Sequence, residues 1–203
     1  MAARAVRELN SNVKTTYLKA DALKGARLGI ARDFMGADTD VDWVVNSAMT
    51  TMKKAGATFV DVRIPKWLLD AKGEFYNAIR YPEFTVQIAA YLATLGPKYP
   101  KNIDQMIDRA MEMNALRPDG GGPNPSRWGL MQREAASGTL DDYRYTSVRD
   151  HGLPAVRAVL EGIMASQKLD AIVYPTASRR PALIAGLAGF ALYSMADARY
   201  RKV

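Results

Sequence analysis

The chain has 203 residues, of which 48% are hydrophobic and 24% charged, a composition typical of a globular protein with a sizeable core. Cysteine is absent, which excludes disulfides, thiolate nucleophiles and thiolate metal sites. His151 is the one histidine, so a multi-histidine centre is excluded as well. We therefore expect neither a metal site nor a cofactor.

The formal net charge is +7, but the basic residues are scattered, with local clusters only at 178–180 and 199–202. No nucleic-acid-binding motif accompanies this charge, so we expect a solvated basic surface rather than nucleic-acid binding. No stretch reaches the roughly 18 unbroken apolar residues of a membrane span, and residues 1–13 lack the apolar core of a signal peptide. The sequence therefore predicts a cytoplasmic protein without membrane contact.

A strand and a helix are predicted first along the chain. Leu28 and Ile30 alternate with small residues, which is typical of a strand. Asp38 or Thr39 is placed to cap the helix that follows, and Gly56 is placed to close it. The apolar residues between them recur every three or four positions and form one stripe: Val41, Val44, Val45, Ala48, Met49 and Met52.

A second strand follows that helix. Val60, Val62 and Ile64 alternate with charged residues, and Pro65 ends the run by withdrawing a backbone donor. Two strands joined by a helix within about forty residues indicate a βαβ unit, whose strands should be parallel with a right-handed crossover.

Residues 67–167 are expected to be almost entirely helical. Pro82 and the Gly-Pro pair at 96–97 predict two separate helices, near 68–80 and near 83–94. A third helix is expected after Asn102, which is placed to cap it. Its buried side should carry Ile103, Met106, Ile107, Ala110 and Met111.

The Gly/Pro-rich stretch 117–126 is predicted to be a flexible connector, since no P-loop Gly-Lys-Ser/Thr follows its glycines. Ser126 is placed to cap a short helix through Ala136, and "TLDD" at 139–142 resembles a capping box. The helix after it should bend near 152–154. It should turn Leu153, Val156, Leu160, Ile163 and Met164 inward.

The stretch "LDAIVYPT" at 169–176 predicts a third, buried strand. Ile172 and Val173 are β-branched, Tyr174 is aromatic, and Pro175 ends the run. Loops at the carboxyl ends of strands are where open α/β sheets bind ligands. We therefore expect a binding site beside this strand end.

Three segments, taken in order, resemble the amidase signature family. That family has an L-K-G-x-R-[IL]-G-[IV] strand, a helix ending in A-G-A before a V-x-V-x-[IL]-P strand, and a D-x-[IL]-[VL]-x-P-T strand. The matching segments are Leu23 to Ile30, Ala55 to Pro65 and Asp170 to Thr176. The resemblance covers about residues 18–189, with each motif a hypothesis on its own and the ordered set more specific.

The resemblance implies an α/β/α fold with a mixed sheet. For this chain we expect an α/β domain in which about three mainly parallel strands are wrapped by helices. We treat 1–203 as one truncated domain with an N-terminal arm at 1–20 and a divergent tail at 184–203. The resemblance also implies carboxamide hydrolysis through a serine acyl-enzyme. Tyr174, Thr176 and Ser178 would then form a wall of the pocket for a small amide substrate.

The family takes its lysine base, its bridging serine and its nucleophilic serine from a Gly/Ser-rich segment, and nothing in these 203 residues matches that segment. Whether the chain is an active enzyme is therefore left open. In the first hypothesis it is an amidase-related hydrolase that is weak or inert as an isolated chain.

Two alternatives stay open. Ser11 and Lys14 have the S-x-x-K spacing that puts a hydroxyl and an amine on one helix face, as in a small serine hydrolase acting on esters or β-lactams. Alternatively, the chain is a non-enzymatic module that forms a homo-oligomer because its sheet edges lack partners. Exchange of residues 1–20 or 184–203 between copies is the expected domain swap.

Overall fold

The structure is a computed structural model that describes residues 21–115, 125–175 and 182–188. The predicted arm at 1–20, most of the 117–126 connector and most of the 184–203 tail lie outside these residues. The chain divides into two compact units. The described part of the first unit is mainly 21–65 and 160–175, and that of the second is 66–115, 125–159 and 183–188.

The first unit holds a sheet of three parallel strands. They are β1 (Arg27–Ala31), β2 (Thr58–Val62) and β3 (Ala171–Val173), in the order β2-β1-β3. In the register, Gly29 of β1 lies opposite Val60 of β2 and Ile172 of β3. The predicted α/β class and the parallel pairing of about three strands are confirmed.

The central strand β1 carries the core of this unit. Ile30 is 0% exposed, and Leu28 and Ala31 are also buried. Gly29 allows the side chains of Leu169 and Val62 to lie close to β1. A Cβ at this position would be 2.7 Å from the Leu169 Cδ1 atom and 3.0 Å from the Val62 Cγ1 atom. Only glycine fits this position without displacing those side chains.

The third strand is shorter and less buried than predicted. Only residues 171–173 pair with β1, Ala171 is exposed, and Ile172 and Val173 are half-buried. The reason is its position: among the described residues β3 pairs on one side only, so its backbone and side chains keep part of their contact with solvent.

Helix α1 (Thr39–Lys54) connects β1 to β2. The structure decides between the two predicted caps. The Asp38 carboxylate accepts hydrogen bonds from the backbone N–H groups of Asp40 at 2.9 Å and Val41 at 3.1 Å. Gly56 follows the helix with φ +99°, as a closing glycine should. Met49 is the buried centre of the predicted stripe.

Replacing Asp38 with alanine should lower the free energy of unfolding by about 1 kcal/mol, because two backbone donors of α1 lose their acceptor. Urea unfolding followed by circular dichroism measures this. Thr39→Ala is the matched control, and a loss as large as that of Asp38→Ala would show that Asp38 is not the cap.

In the second unit, helix α2 runs without interruption from Lys66 to Ala93, so the predicted break at Pro82 is wrong. Proline lacks a backbone N–H and costs roughly 3 kcal/mol inside a helix. Pro82 is itself buried, as are Leu68 and Leu92 of the same helix. Each fully buried leucine contributes about 1.5–3 kcal/mol, so packing outweighs the local penalty.

Helix α3 (Ile103–Ala115) begins as predicted, with the Asn102 Oδ1 atom accepting from the Gln105 N–H at 2.9 Å. Ile103 is buried at 2% exposure, but Met111 is 52% exposed and was wrongly predicted to be inward. At about 100° per residue, a side chain eight positions later points roughly 80° away from Ile103.

The remaining helices are α4 (Pro125–Ala135), α5 (Tyr143–Ser147), α6 (Leu153–Gln167) and α7 (Ala182–Leu187). A π-helical turn, Val148–Gly152, joins α5 to α6 and ends at Gly152, the first residue of the stretch 152–154 where a bend is predicted. Only half of the predicted capping box forms, since Asp142 accepts the Thr139 N–H at 2.8 Å and makes no capping bond at its own helix. In the described ranges, no helix is both long enough and apolar enough to cross a membrane.

A buried ion pair links α2 to α4 within the second unit. The Glu134 side chain is 1% exposed, and its Oε1 atom lies 2.5 Å from a guanidinium nitrogen of Arg80. The backbone carbonyl of Glu134 accepts from the hydroxyl of Thr85 at 3.1 Å. The rings of Tyr76 and Tyr81 lie 5.7 Å and 4.8 Å from the same guanidinium group. No local pattern in the sequence indicates this cluster.

Candidate functional site

The carboxyl ends of the three parallel strands meet at one edge of the sheet. Residues 32–34 form a single 3-10 turn directly after β1, and residues 63–64 follow β2. Tyr174 follows β3. We call this the carboxyl edge, and it consists of Arg32, Asp33, Phe34, Asp61, Arg63 and Tyr174. This is the side of an open α/β sheet on which ligands bind.

An aromatic pair lies across the ends of β1 and β3. The rings of Phe34 and Tyr174 pack edge to face, with centroids 6.4 Å apart and planes inclined at 62°. Phe34 is buried at 3% exposure, whereas Tyr174 is half-buried. Phe34 therefore supports the Tyr174 ring from inside, and Tyr174 is the member that can touch a ligand.

Two ion pairs lie at the ends of β1 and β2. The Nε atom of Arg32 is 2.8 Å from the Asp61 carboxylate, and a guanidinium nitrogen of Arg63 is 3.1 Å from that of Asp33. Asp33 also accepts the backbone N–H of Ile64 at 2.8 Å, which ties the two strand ends together. The charged side chains of the edge are thus paired with one another.

The Tyr174 hydroxyl is the uncharged polar side-chain group among the six residues of the edge. Partial burial raises the pKa of Tyr174 above its ordinary value of 10.0, so the phenol is neutral at physiological pH. Across the described ranges this hydroxyl has no hydrogen-bond partner. A neutral phenol both donates and accepts, which suits an amide or a carbonyl group.

A pH dependence follows from Tyr174. Its folded pKa is higher than its unfolded value, so its contribution to stability is complete below pH 10 and is lost as the pH rises through the folded value. We expect the free energy of unfolding to fall above pH 10, and to fall less steeply in Tyr174→Phe. Urea unfolding at pH 8, 10 and 11 measures the slope. The same slope in Tyr174→Phe as in the wild-type protein would contradict this.

Of the site residues predicted from the sequence, Tyr174 is described and lies at the carboxyl edge. Ser11, Lys14, Thr176 and Ser178 lie outside the described residues, and their predicted roles stay predictions. The geometry of the site therefore rests on Tyr174 and the other described residues of the carboxyl edge.

Other polar candidates are accounted for by local structure. The Ser137 hydroxyl donates to the Glu134 carbonyl at 2.6 Å. Arg149 binds the Asp150 carboxylate at 2.6 Å and 2.8 Å and lowers the pKa of Asp150. His151 is exposed beside it. These bonds are those of helix ends and surface pairs, and none of them forms a catalytic pair.

Sequence reasoning missed Asp33 and Phe34. The rule that pointed to Tyr174, that ligands bind after a parallel strand, applies equally to β1 and would have marked both residues. The missing information was the order of the strands, because the end of β1 lies next to that of β3 only when these two strands are neighbours, as they are in the order β2-β1-β3.

These features define the chain as an α/β protein with a parallel sheet whose carboxyl edge carries an aromatic wall. The sequence profile of the Amidase family matches residues 3–196. The chain belongs to the amidase family, which confirms the resemblance found in the sequence. The match extends beyond the 18–189 covered by the motifs.

Individual proteins agree with this assignment. A glutamyl-tRNA(Gln) amidotransferase subunit from Caldanaerobacter subterraneus subsp. tengcongensis is 29% identical over 169 residues, which cover 80% of this chain and 32% of that protein. This chain thus spans about a third of the length of that curated relative.

Two solved structures share the fold. Native peptide amidase from Stenotrophomonas maltophilia has a TM-score of 0.60 and 20% identity, with 83% of this chain and 35% of that chain covered. An amidase family protein from Bacillus anthracis has a TM-score of 0.62 and 18% identity, with 85% and 32% covered. At this level of identity the similarity concerns the fold.

Proposed function

We propose that this chain is part of an amide hydrolase and supplies one wall of its carboxamide pocket. The observation that carries the proposal is the Phe34–Tyr174 pair at the carboxyl edge, in a chain that belongs to the amidase family. Two of the similar proteins are named as a peptide amidase and an amidotransferase, so both names concern amide bonds. The substrate class we propose is small carboxamides.

The proposed reaction is the one that the family resemblance implies. An activated serine attacks the carboxamide carbon while a base takes the serine proton; the base then gives that proton to the leaving nitrogen, and the tetrahedral intermediate expels ammonia or an amine to leave an acyl-enzyme. Water then hydrolyses the ester and regenerates the serine. In this scheme Tyr174 contacts the substrate beside the reacting group, and Phe34 holds the Tyr174 ring in place.

We propose that the 203 residues on their own bind carboxamides but hydrolyse them slowly or not at all. No part of the sequence matches the Gly/Ser-rich segment that holds the family's lysine and two serines. A pocket wall without its nucleophile retains some binding and loses the covalent step. Binding, rather than turnover, is therefore the property to test first.

The test combines ligand-observed NMR with a panel of small carboxamides and an assay for released ammonia. We expect weak binding that is lost in Tyr174→Ala and retained in Tyr143→Ala, a matched change at an 85% exposed tyrosine. Circular dichroism confirms that both variants fold. Binding that survives in Tyr174→Ala, or no carboxamide binding by the wild-type chain, would overturn the proposal.

The same sample tests the serine hydrolase alternative. Ser11 and Lys14 would form the nucleophile and base, and Ser11 would then react with a fluorophosphonate. Mass spectrometry of the labelled protein measures the extent and the position of reaction. Stoichiometric labelling of Ser11 would favour an esterase or β-lactam hydrolase, whereas we expect no such labelling.

We also propose that the chain associates with a second copy of itself. Within the described residues β2 and β3 each have one paired side, which leaves two strand edges available for pairing. Large apolar side chains of the second unit are also exposed, among them Val86 at 51% and Tyr91 at 61%. Light scattering at tens of micromolar should report an oligomer, and a monodisperse monomer would contradict this.

A further inference from the structure

The carboxyl edge also carries information about which carboxamides it accepts. Its four charged side chains are two arginines and two aspartates, and each arginine lies within 3.1 Å of one of the carboxylates. The charges therefore cancel in pairs along the edge. Among the six described residues that make up the edge, no charge is left unopposed to meet a charged group on a ligand.

The two pairs differ in how they are held. Asp33 has a side-chain exposure of 15% and is fixed by Arg63 and by the Ile64 N–H. Arg32 has a side-chain exposure of 32% and is matched by the more open Asp61, at 64%. A charged ligand group at this edge would lose part of its hydration. The net electrostatic field of two neutralised ion pairs is too weak to compensate for that loss.

The remaining surface of the edge is aromatic and neutral. The Tyr174 ring is held against the buried Phe34, and the Tyr174 hydroxyl has no partner in the part of the chain that the structure describes. A flat apolar group stacks against such a ring, and a neutral amide or carbonyl bonds to such a hydroxyl.

From this geometry we propose that the carboxyl edge selects uncharged carboxamides with an aromatic or flat apolar acyl group, and discriminates against those with a carboxylate or an ammonium group. The inference rests on the proposed function, since it concerns the same wall. Its cause is the mutual neutralisation of the Arg32–Asp61 and Arg63–Asp33 pairs. The selectivity should change when one pair is broken.

The test compares three ligands of one shape with the 203-residue protein: benzamide, 4-carboxybenzamide and 4-(aminomethyl)benzamide. Dissociation constants come from ligand-observed NMR titrations at fixed ionic strength. We expect benzamide to bind at least about fivefold more tightly than either charged ligand, because the charged group loses hydration that the paired charges do not replace. In Tyr174→Phe, which keeps the ring, benzamide should bind more weakly.

The decisive variant is Asp61→Asn, which leaves Arg32 without its carboxylate. The affinity for 4-carboxybenzamide relative to that for benzamide should then rise about fivefold, because the carboxylate of the ligand can pair with Arg32. Asp21→Asn makes the same change of charge before β1, at the opposite end of that strand, and should leave the ratio unchanged. A merely structural role of Asp61 would weaken all three ligands together.

The outcomes separate the two proposals. If a charged ligand binds as tightly as benzamide or more tightly, or if Asp61→Asn leaves the ratio unchanged, the selectivity is overturned while the carboxamide wall stands. If none of the three ligands shows binding that depends on Tyr174, the proposed function and the selectivity are both overturned.

Discussion

Replacing Arg80 with methionine is expected to lower the free energy of unfolding by about 3 kcal/mol, the lower end of the range for breaking a buried ion pair. The Glu134 carboxylate is 1% exposed, and in the described chain its Oε2 atom has no hydrogen-bond partner. Without Arg80 the charge would be buried and unpaired. Because Arg80 is itself 31% exposed, water can partly replace it, which is why the lower end applies.

The double variant Arg80→Met/Glu134→Leu removes both charges and should recover most of that loss, since similar replacements of buried pairs by apolar residues are neutral or stabilising. Arg109→Met serves as the control, because Arg109 and Glu112 form an exposed pair at 2.9 Å that is worth less than about 1 kcal/mol. Urea unfolding measures the free energy of unfolding of all three variants. The slope of that free energy against urea concentration should be the same in each. An Arg80→Met loss no larger than that of Arg109→Met would contradict the buried-pair interpretation.

Ile30→Ala is expected to lower the free energy of unfolding by about 3–4 kcal/mol, within the range for truncating a fully buried aliphatic side chain. Ile30 is 0% exposed and lies in the central strand, between Asp61 of β2 and Val173 of β3 in the register. Strands on both sides restrict collapse into the cavity. A loss of this size is a large fraction of the roughly 5–15 kcal/mol that stabilises a typical domain.

A graded series makes this prediction sharper. Ile30→Val removes one methylene group and should cost about 1 kcal/mol. Trp43→Ala removes a far larger side chain that is 70% exposed, and should change stability by less than about 0.5 kcal/mol. If Trp43→Ala costs more than Ile30→Ala, the placement of the core around β1 is wrong.

The elements that could be predicted from the sequence are those with strong local signals. Alternation around Ile30, a cap at Asp38 or Thr39 and the closing Gly56 predicted the strand, helix and strand of the βαβ unit, and each is found. Local turn chemistry fixes such features, since the side chain of Asp38 bonds the backbone only two and three residues later. The ordered motifs within them were also enough to identify the family.

The candidate site could be predicted only in part. Tyr174 was found because a strand visibly ends at Pro175, but its contact with Phe34 joins residues from opposite ends of the described chain. The same holds for Arg80 and Glu134, which are 54 residues apart. No local pattern encodes such pairs, because they depend on which strands and helices become neighbours.

By itself the sequence determined the class of fold, the order of the elements and the family, because periodicity, caps and motifs act over a few residues. Tertiary structure decided the rest. It kept α2 continuous through Pro82, since burial outweighs one missing hydrogen bond, and it left Met111 exposed and β3 half-buried. It also set Phe34 against Tyr174 and paired the charges of the carboxyl edge, because only the assembled sheet brings the ends of separate strands together.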